Sequence, residues 1–557
     1  MTQYSQLFRE LLSKRGLVAD DEIEVFLHPD YNNLHDPFKL PDIDKAVNRL
    51  KQTIEKQETI TIFGDYDADG VTATSVLYLG LKQMGLTDIV TVLPHRIRDG
   101  YGMPKNCVSQ LTQTKTTLAI TVDCGSKNHD IIEQLNQKGI DVIITDHHEV
   151  GDTLPNAIAI VNPKRPDSNY PFADLAGVGV AFKLIQALQK TLHPETLPDG
   201  QEKWLLDLVA IGTVCDCMQL VGENRILTHF GFKVISKTRL AGLRELMRTA
   251  YRSGKDNIDS YFVGFVIGPR INAAGRLDDP VQALNVFLSE KGAECAANVE
   301  ALEKLNRKRK TLQDKATEQA VKQINNQYKN IELPDVICVR NTDWHEGLIG
   351  IVAGRLVDVF HRPVFAFTQA ENGNWKGSGR SFGDYSLADL IKQAKPLMVQ
   401  GGGHREAAGL VLASDELYTK FIKCANNLYK DKKLEHSDQE KFFRPNPDIT
   451  IEKINDLSIK FYNELKLLEP FGNGNPEPIF EIKQAKIISK RIIKEKYLKF
   501  IIEKSDEQMG MMCFRPEPSW FDLQSGDHAD FLFNLELDEY RGTKTIGGVA
   551  TSISKSH

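Results

Sequence analysis

At 557 residues the chain is too long for one hydrophobic core and calls for about three or four domains. Hydrophobic residues make up 41% and charged residues 26%, a globular balance, and no apolar run approaches the roughly 20 residues of a membrane span. A net charge of -6 excludes binding nucleic acid by overall charge alone, although carboxylates gathered on cations would hide a basic groove.

The first half reads as strand, turn and helix repeated. Thr59–Phe63 is a β-branched run that breaks at Gly64, with a helix expected from Val71 to Met84. Leu118–Val122 follows, with a helix near Asp130–Lys138, then Asp141–Thr145 and Ala157–Val161. Near-continuous apolar strands alternating with helices predict a doubly wound α/β fold on a parallel sheet covered on both faces. From about Asp279 to Tyr328 proline disappears after Pro280 and a long connecting helix is expected. A second α/β block starts at Val336–Val339, and Lys430–Lys441 is a polar linker. Strand candidates then follow at Ile479–Ile488, Tyr497–Ile502, Met509–Phe514, Ala529–Leu535 and Thr543–Ala550, which suits a small barrel of the oligonucleotide-binding (OB) type. The eight cysteines are scattered, and the first residues lack an export-type apolar stretch. Reduced thiols, a cytoplasmic location and no membrane association are expected.

Acidic residues and histidines fall at the strand ends. The first strand runs into Gly64-Asp65-Tyr66-Asp67-Ala68-Asp69-Gly70, the second into Asp123-Cys124-Gly125 and the third into Asp146-His147-His148. A later apolar stretch ends at Asp216 in the same manner. Open parallel sheets bind ligands beyond the carboxyl ends of their strands, so these groups are delivered to one edge. So many carboxylates together require cations. Oxygen and imidazole donors suit Mn²⁺ or Mg²⁺, and two such ions can clamp both oxygens of a phosphoryl displacement, with Asp123 the candidate bridge. Asp65-x-Asp67-x-Asp69-Gly70 also looks like the start of a calcium loop, but the twelfth position, Val76, lacks the required Glu.

Together, Asp65–Gly70, Asp123–Gly125, Asp146–His148 and Asp216 resemble the DHH phosphoesterase superfamily. Gly268–Leu277, Trp344–Ile351, Gly377–Ser381, Gly401–Gly409 and Pro470–Pro478 narrow the likeness to its single-strand-specific 5′→3′ exonuclease branch. The resemblance implies an N-terminal helical segment (1–45), a DHH domain (46–278), a helical connector (279–330), a DHH-associated α/β domain (331–435) and an OB-type domain (436–557). It implies metal ligation by Asp67, Asp69, Asp123, His147 and Asp216. Catalytic roles fall to His148 beside the scissile phosphate, to Asp123 and to Asp65, with Asp146 orienting a neighbour. Phe63 stands where some members carry a histidine ligand, which leaves Asp65 to be recruited. Cys215 and Cys217 flank Asp216 and are read as buried small hydrophobes.

For phosphate, Gly402, Gly403 and His404 offer a backbone cradle, or else a tight turn. Ser378, Arg380 and Ser381 suit forked contacts, as do Arg270, Asn272 and Arg276, with interdomain salt bridges the plainer reading of the arginines. Lys483, Lys486, Lys490, Arg491, Lys494, Lys496 and Lys499, with Tyr497 and Phe500, suit a strand-tracking face or a merely solvated one. Asn306–Lys310 either lines a channel or is exposed. The expected substrate is single-stranded DNA, with a single-strand-binding protein and a helicase as expected partners. A phosphodiesterase of short oligonucleotides or cyclic dinucleotides, and a non-catalytic DNA-binding relative, are the alternatives.

Overall fold

A computed structural model describes residues 4–192, 197–251, 258–430, 446–540 and 543–556. The chain divides into two compact units. One comprises His35–Met218 and Phe230–Gln439; the other comprises Met1–Leu34, Gln219–His229 and Glu440–His557.

The first unit holds two sheets. Strands β1 (Ile60–Phe63), β2 (Ile89–Val92), β3 (Leu118–Val122), β4 (Asp141–Thr145) and β5 (Ala159–Val161) form a wholly parallel sheet in the order β2-β1-β3-β4-β5. Residues of β1, β3 and β5 are buried throughout, as expected for strands covered on both faces. One face packs Cys107, Val108, Ile131, Ile132 and Leu135, from the helices Cys107–Gln113 and His129–Gln137, onto Phe63, Ala119, Val142 and Ile144. The helices Ala68–Gln83, Gly177–Thr191 and Leu206–Cys215 pack against one another elsewhere in this unit. The strand order reverses between β1 and β3, so the crevice beyond their carboxyl ends lies at a topological switch point.

The expected connector is two helices, Val281–Leu288 and the 36-residue Gly292–Gln327. Ser289 leaves the first with extended backbone (ψ 132°) and its hydroxyl accepts from the Asn298 amide at 2.7 Å, marking the break. On the long helix a buried stripe runs through Val299, Leu302, Glu303, Asn306, Arg309, Gln313, Ala316, Ala320 and Ile324. Its C-terminal part packs Ala316, Ala320 and Ile324 against Ile337, Val352 and Val364. There the second sheet follows, β6 (Ile337–Arg340), β7 (Val364–Gln369), β8 (Trp375–Arg380), β9 (Gln400–Gly403) and β10 (Ala407–Leu412), in the order β6-β7-β8-β10-β9. The β6–β7 pair is parallel and the others are antiparallel.

The second unit is a barrel with helices. β12 (Phe480–Ile493), β13 (Tyr497–Lys504), β14 (Glu507–Cys513), β16 (Thr543–Lys555) and β15 (His528–Tyr540) pair in that order. β15 closes back onto β12, and the short β11 (Ile449–Thr450) adds at one side. Phe8, Leu11, Leu12, Ile23 and Leu27, from the helices Gln6–Lys14 and Asp20–Leu27, share one core with Phe461, Phe480 and Phe533. The Arg225 guanidinium is buried and donates to the carbonyls of Leu468 (2.7 Å), Leu467 (2.9 Å) and Phe26 (3.0 Å). Burial lowers its pKa to about 10.

Candidate metal centre and phosphate pocket

Beyond β1 the chain turns at once into the helix Ala68–Gln83. Asp67 is its N-cap, and its Oδ1 accepts from the amides of Asp69 (3.0 Å) and Gly70 (3.2 Å). Asp69, in the first turn, is 1% exposed and accepts from the amides of Gly177 (2.7 Å) and Val178 (2.9 Å) at the start of another helix. That approach needs Gly177, since a Cβ there would meet Asp123 Cβ at 2.7 Å. Asp123, just past β3, has left-handed backbone (φ 60°), a strained conformation for a non-glycine residue of the kind found at functional sites. His147 and His148 follow β4 directly.

These groups converge in three overlapping sets, each with ligand atoms within 4.8 Å of one another: Asp65, Asp67 and Asp123; Asp69, His147 and Asp216; and Asp123, His147 and His148. His147 Nε2 lies 3.1 Å from Asp123, 3.6 Å from Asp216 and 3.8 Å from Asp69. Asp65 Oδ1, Asp123 Oδ1 and His147 Nε2 are buried without a hydrogen bond among the described residues. Buried polar atoms without partners are costly, so this donor set fits divalent cations. Burial, then the neighbouring carboxylates, raise the pKa of Asp69 to about 7 and of Asp216 to about 9, and hold Asp65 and Asp123 well above the usual range. Burial pushes His147 down to about 3, which keeps its imidazole neutral and its lone pair available.

Asp146 is not in any of the three sets. Its Oδ1 accepts from the amides of His147 (2.8 Å) and His148 (3.1 Å) and lies 2.9 Å from His148 Nδ1, while Oδ2 accepts from Ser126 N at 3.0 Å. Although burial opposes it, the His148 hydrogen bond and charge bring Asp146 down to about 2. Burial disfavours protonated His148, but Asp146 and the cluster outweigh it and raise the pKa. The Tyr101 hydroxyl, 3.0 Å from His148 Nδ1, is a neighbour that sequence reasoning missed.

Several expectations need correction. Asp216 does not end a strand: it caps the C-terminus of the helix Leu206–Cys215, whose largely apolar stretch Leu208–Cys215 has no polar face to tell it from a buried strand. Cys217 is exposed, not buried, because it lies beyond that cap in left-handed backbone (φ 57°); Cys215 is partly buried. Phe63 is a core residue, and Asp65 stands with Asp67 and Asp123.

A second site lies beside the centre in the same unit, a pocket of about 430 Å³ lined by Arg96, Arg276, Lys376, Ser378, Arg380, Gly401 and Gly402, among others. Burial, then Arg96 and Arg380, lower Arg276 to about 9; burial, then Arg96, also lower Arg380. Cations crowded against one another in a concavity fit an anion. Arg96 also lies over the Tyr66 ring (4.8 Å), and no sequence motif pointed to it. Arg270 does not line this pocket: it is 9% exposed and donates to Glu303 of the long helix and to the Val266 carbonyl (2.6 Å). Asn272 accepts from Ala68 N at 3.0 Å and so steadies the Asp67–Asp69 turn. The Ser381 hydroxyl is taken by the Tyr385 carbonyl. Gly402, Gly403 and His404 are exposed; the glycines lie on β9, not in a strand-to-helix turn, and His404 N donates to Ala407 O at 2.8 Å. Within Asn306–Lys310, Asn306 and Arg309 are buried together, with Arg309 Nη2 donating to Asn306 Oδ1 at 3.0 Å. On the barrel, Phe500 is a core residue, while Lys483, Lys486, Arg491, Lys494, Lys496 and Lys499 are exposed.

Three family models match the chain: the DHH family N-terminal domain over residues 59–213, the DHHA1 domain over 333–431 and the RecJ OB domain over 448–548. The single-stranded-DNA-specific exonuclease RecJ of Escherichia coli is 32% identical over 556 residues, covering 97% of this chain and 94% of that protein. The Bacillus subtilis protein of the same name is 32% identical over 544 residues; the match covers 97% of this chain and 66% of the longer relative. Among solved structures, RecJ of Thermus thermophilus in complex with Mn²⁺ superimposes with a TM-score of 0.82 at 28% identity, covering 100% of this chain and 76% of that one. No helix among the described residues is long and apolar enough to cross a membrane.

Proposed function

Since the chain belongs to the RecJ family of single-stranded-DNA-specific exonucleases, we propose that it hydrolyses single-stranded DNA from the 5′ end to mononucleotides. The observation that carries this is the pair of ligand sets, one on Asp65 and Asp67 and one on Asp69, His147 and Asp216, joined through Asp123.

Asp67, Asp69, Asp123, His147 and Asp216 would hold two divalent ions, Mn²⁺ or Mg²⁺, with Asp65 able to join Asp67 and Asp123. When bound, such ions supply Lewis acidity at the phosphate and a nucleophile at neutral pH. The protein's own part is positional and electrostatic. The Gly177 and Val178 amides fix the Asp69 carboxylate, and Asn272 fixes the turn that presents Asp67. Asp146 orients the His148 ring and favours its protonated form, which places a donor beside the cluster for charge developing on a phosphate oxygen. Arg276, Arg380 and Ser378, with Gly402 and its neighbours Gly403 and His404 on one wall, take a phosphate of the same strand. Strand selectivity then follows from a groove that admits a threaded strand but not a duplex.

In this reading catalysis belongs to segment 46–278, phosphate holding is shared with 279–330 and 331–435, and the barrel in 436–557 tracks the strand. The enzyme works in the cytoplasm, where a helicase would expose strands and a single-strand-binding protein would meet it on them. Retention of the whole acidic set speaks against a non-catalytic relative. Incubating 5′- and 3′-labelled single and double strands with Mn²⁺ or Mg²⁺, alongside Asp123→Asn, tests it. Metal-dependent release of 5′-terminal mononucleotides from single strands alone is expected. Cleavage at the native rate in Asp123→Asn, or the absence of cleavage in the native chain, overturns it.

A further inference from the structure

The helix that delivers Asn272 and Arg276 carries a feature that the chemistry above leaves unused. Between Tyr261 and Leu277 only Tyr261 and Phe265 are exposed; Gly264, Val266, Pro269, Asn272, Arg276 and Leu277 are partly buried, and Phe262, Val263, Ile267, Gly268, Ile271 and Ala274 are buried. Steps of four, four, three and four residues from Tyr261 reach Phe265, Pro269, Asn272 and Arg276, so the two exposed rings share a face with the partly buried Asn272 and Arg276. Tyr261 and Phe265 are 63% and 71% exposed, and their rings stack on each other at 5.0 Å with planes 26° apart. They belong to a π-helical segment, Phe262–Ile267 with Tyr261 as its cap, that runs directly into the helix Gly268–Leu277. The Cys215 thiol, next to Asp216, rests on the Val263 carbonyl at 3.9 Å. Single π-turns of this kind concentrate at functional sites. Two large rings held in water at the head of a stripe that ends in the arginine pocket call for a planar, apolar partner arriving along that stripe.

We propose that Tyr261 and Phe265 form a stacking platform for a base of the incoming single strand. The inference rests on the nuclease reading and adds a residue-level determinant of strand binding. From Tyr261 to Arg276 a helix rises roughly 20 Å at about 1.5 Å per residue. An unstacked strand drawn out to about twice the 3.4 Å B-form step covers that span in about three nucleotides. Every base has a π-face, so such a platform grips the strand whatever its sequence, and it is useless to a duplex whose bases are already stacked. Continuity with the pocket of Arg276 and Arg380 is what favours a base over an apolar segment of a protein.

The test compares KM for 5′-phosphorylated dT2 and dT12 in the native chain and in Tyr261→Ala/Phe265→Ala. A dinucleotide is too short to reach the platform. The KM advantage of dT12 over dT2 should therefore shrink by about tenfold in the double variant, since stacking on an aromatic contributes on that order per base. Tyr261→Phe and Phe265→Tyr, which keep both rings, should restore it and so separate loss of stacking from loss of fold. A dT12 lacking the third and fourth bases should lose the same advantage in the native chain and nothing further in the double variant. An unchanged ratio in the double variant, with the native chain active, overturns this inference and leaves a protein partner as the occupant of the rings. A native chain inactive on both substrates overturns the nuclease reading instead.

Discussion

His147 Nε2 lies 3.1 Å from Asp123 Oδ1 deep in the first unit, and neither atom has a hydrogen bond among the described residues. This contact joins the acidic set after β1 to the set that includes Asp216. Asp123→Asn keeps the volume but halves the capacity to bridge two cations. The loss of several kcal/mol of charge stabilisation should lower turnover by about a thousandfold. In chelator the same variant should melt higher than the native chain, because one of the carboxylates crowding the cluster is gone. A variant that is both slower and less stable without metal would mean that Asp123 acts through folding alone.

The pH dependence of the metal-free chain follows from the same carboxylates. Asp69 is raised to about 7 and Asp216 to about 9, against 3.8 for the free side chain. Between pH 4 and about 9 the folded chain therefore holds protons that the unfolded chain has released. Stability contributed by these groups is complete below pH 4 and falls as pH rises through the folded values. In chelator the melting temperature should fall from pH 5 to pH 9. Saturating Mn²⁺ should reverse the slope, because binding displaces those protons and tightens with pH, and binding to the folded state alone raises the melting point. Parallel melting curves with and without Mn²⁺ would show that the cluster binds no metal.

The strand-end acids were legible because each follows a short apolar run and a parallel sheet sends such positions to one edge. Asp216 reached the same place from a helix end, and the largely apolar stretch Leu208–Cys215 before it carries no polar period to separate helix from strand. Arg96 and Tyr101 escaped notice because they sit after β2, four residues long and half-exposed, with no motif around them. The N-terminal helical segment is expected, but nothing local reveals that Phe8, Leu11 and Leu12 are covered by the barrel. Arg270 and Arg276, six residues apart in one motif, read alike in sequence. Only tertiary packing gives Arg270 to Glu303 and Arg276 to the pocket.

That difference separates two substitutions. Arg380→Ala removes a forked donor from the pocket, and charged hydrogen bonds contribute about 1.5–3 kcal/mol. KM for 5′-phosphorylated single strands should rise by about tenfold to a hundredfold, with little change in melting temperature. Arg270→Ala leaves the Glu303 carboxylate buried without its guanidinium, a loss of about 3–5 kcal/mol. It should lower stability strongly while the surviving folded fraction keeps a near-native KM. The reverse pattern would place Arg270 in the phosphate site.

Asp207 offers a stability test remote from the metal ligands. It is 1% exposed in the first turn of the helix Leu206–Cys215, accepts from Leu208 N at 2.7 Å and pairs with the Thr238 hydroxyl. Burial raises its pKa to about 6 despite these hydrogen bonds. The folded chain then carries no penalty from Asp207 below pH 4, an increasing one from pH 4 to 6 and the full one above. The shift corresponds to about 3 kcal/mol at neutral pH. Asp207→Asn cannot ionise and should stabilise the chain by about 1–3 kcal/mol at pH 8 while gaining little at pH 4. The difference between variant and native urea midpoints should grow only between those pH values. Taking that difference cancels the contribution of the metal cluster, which both chains share. A constant difference across the range would show that Asp207 is already ionised in the fold at pH 4, so that hydrogen bonding and not burial governs it.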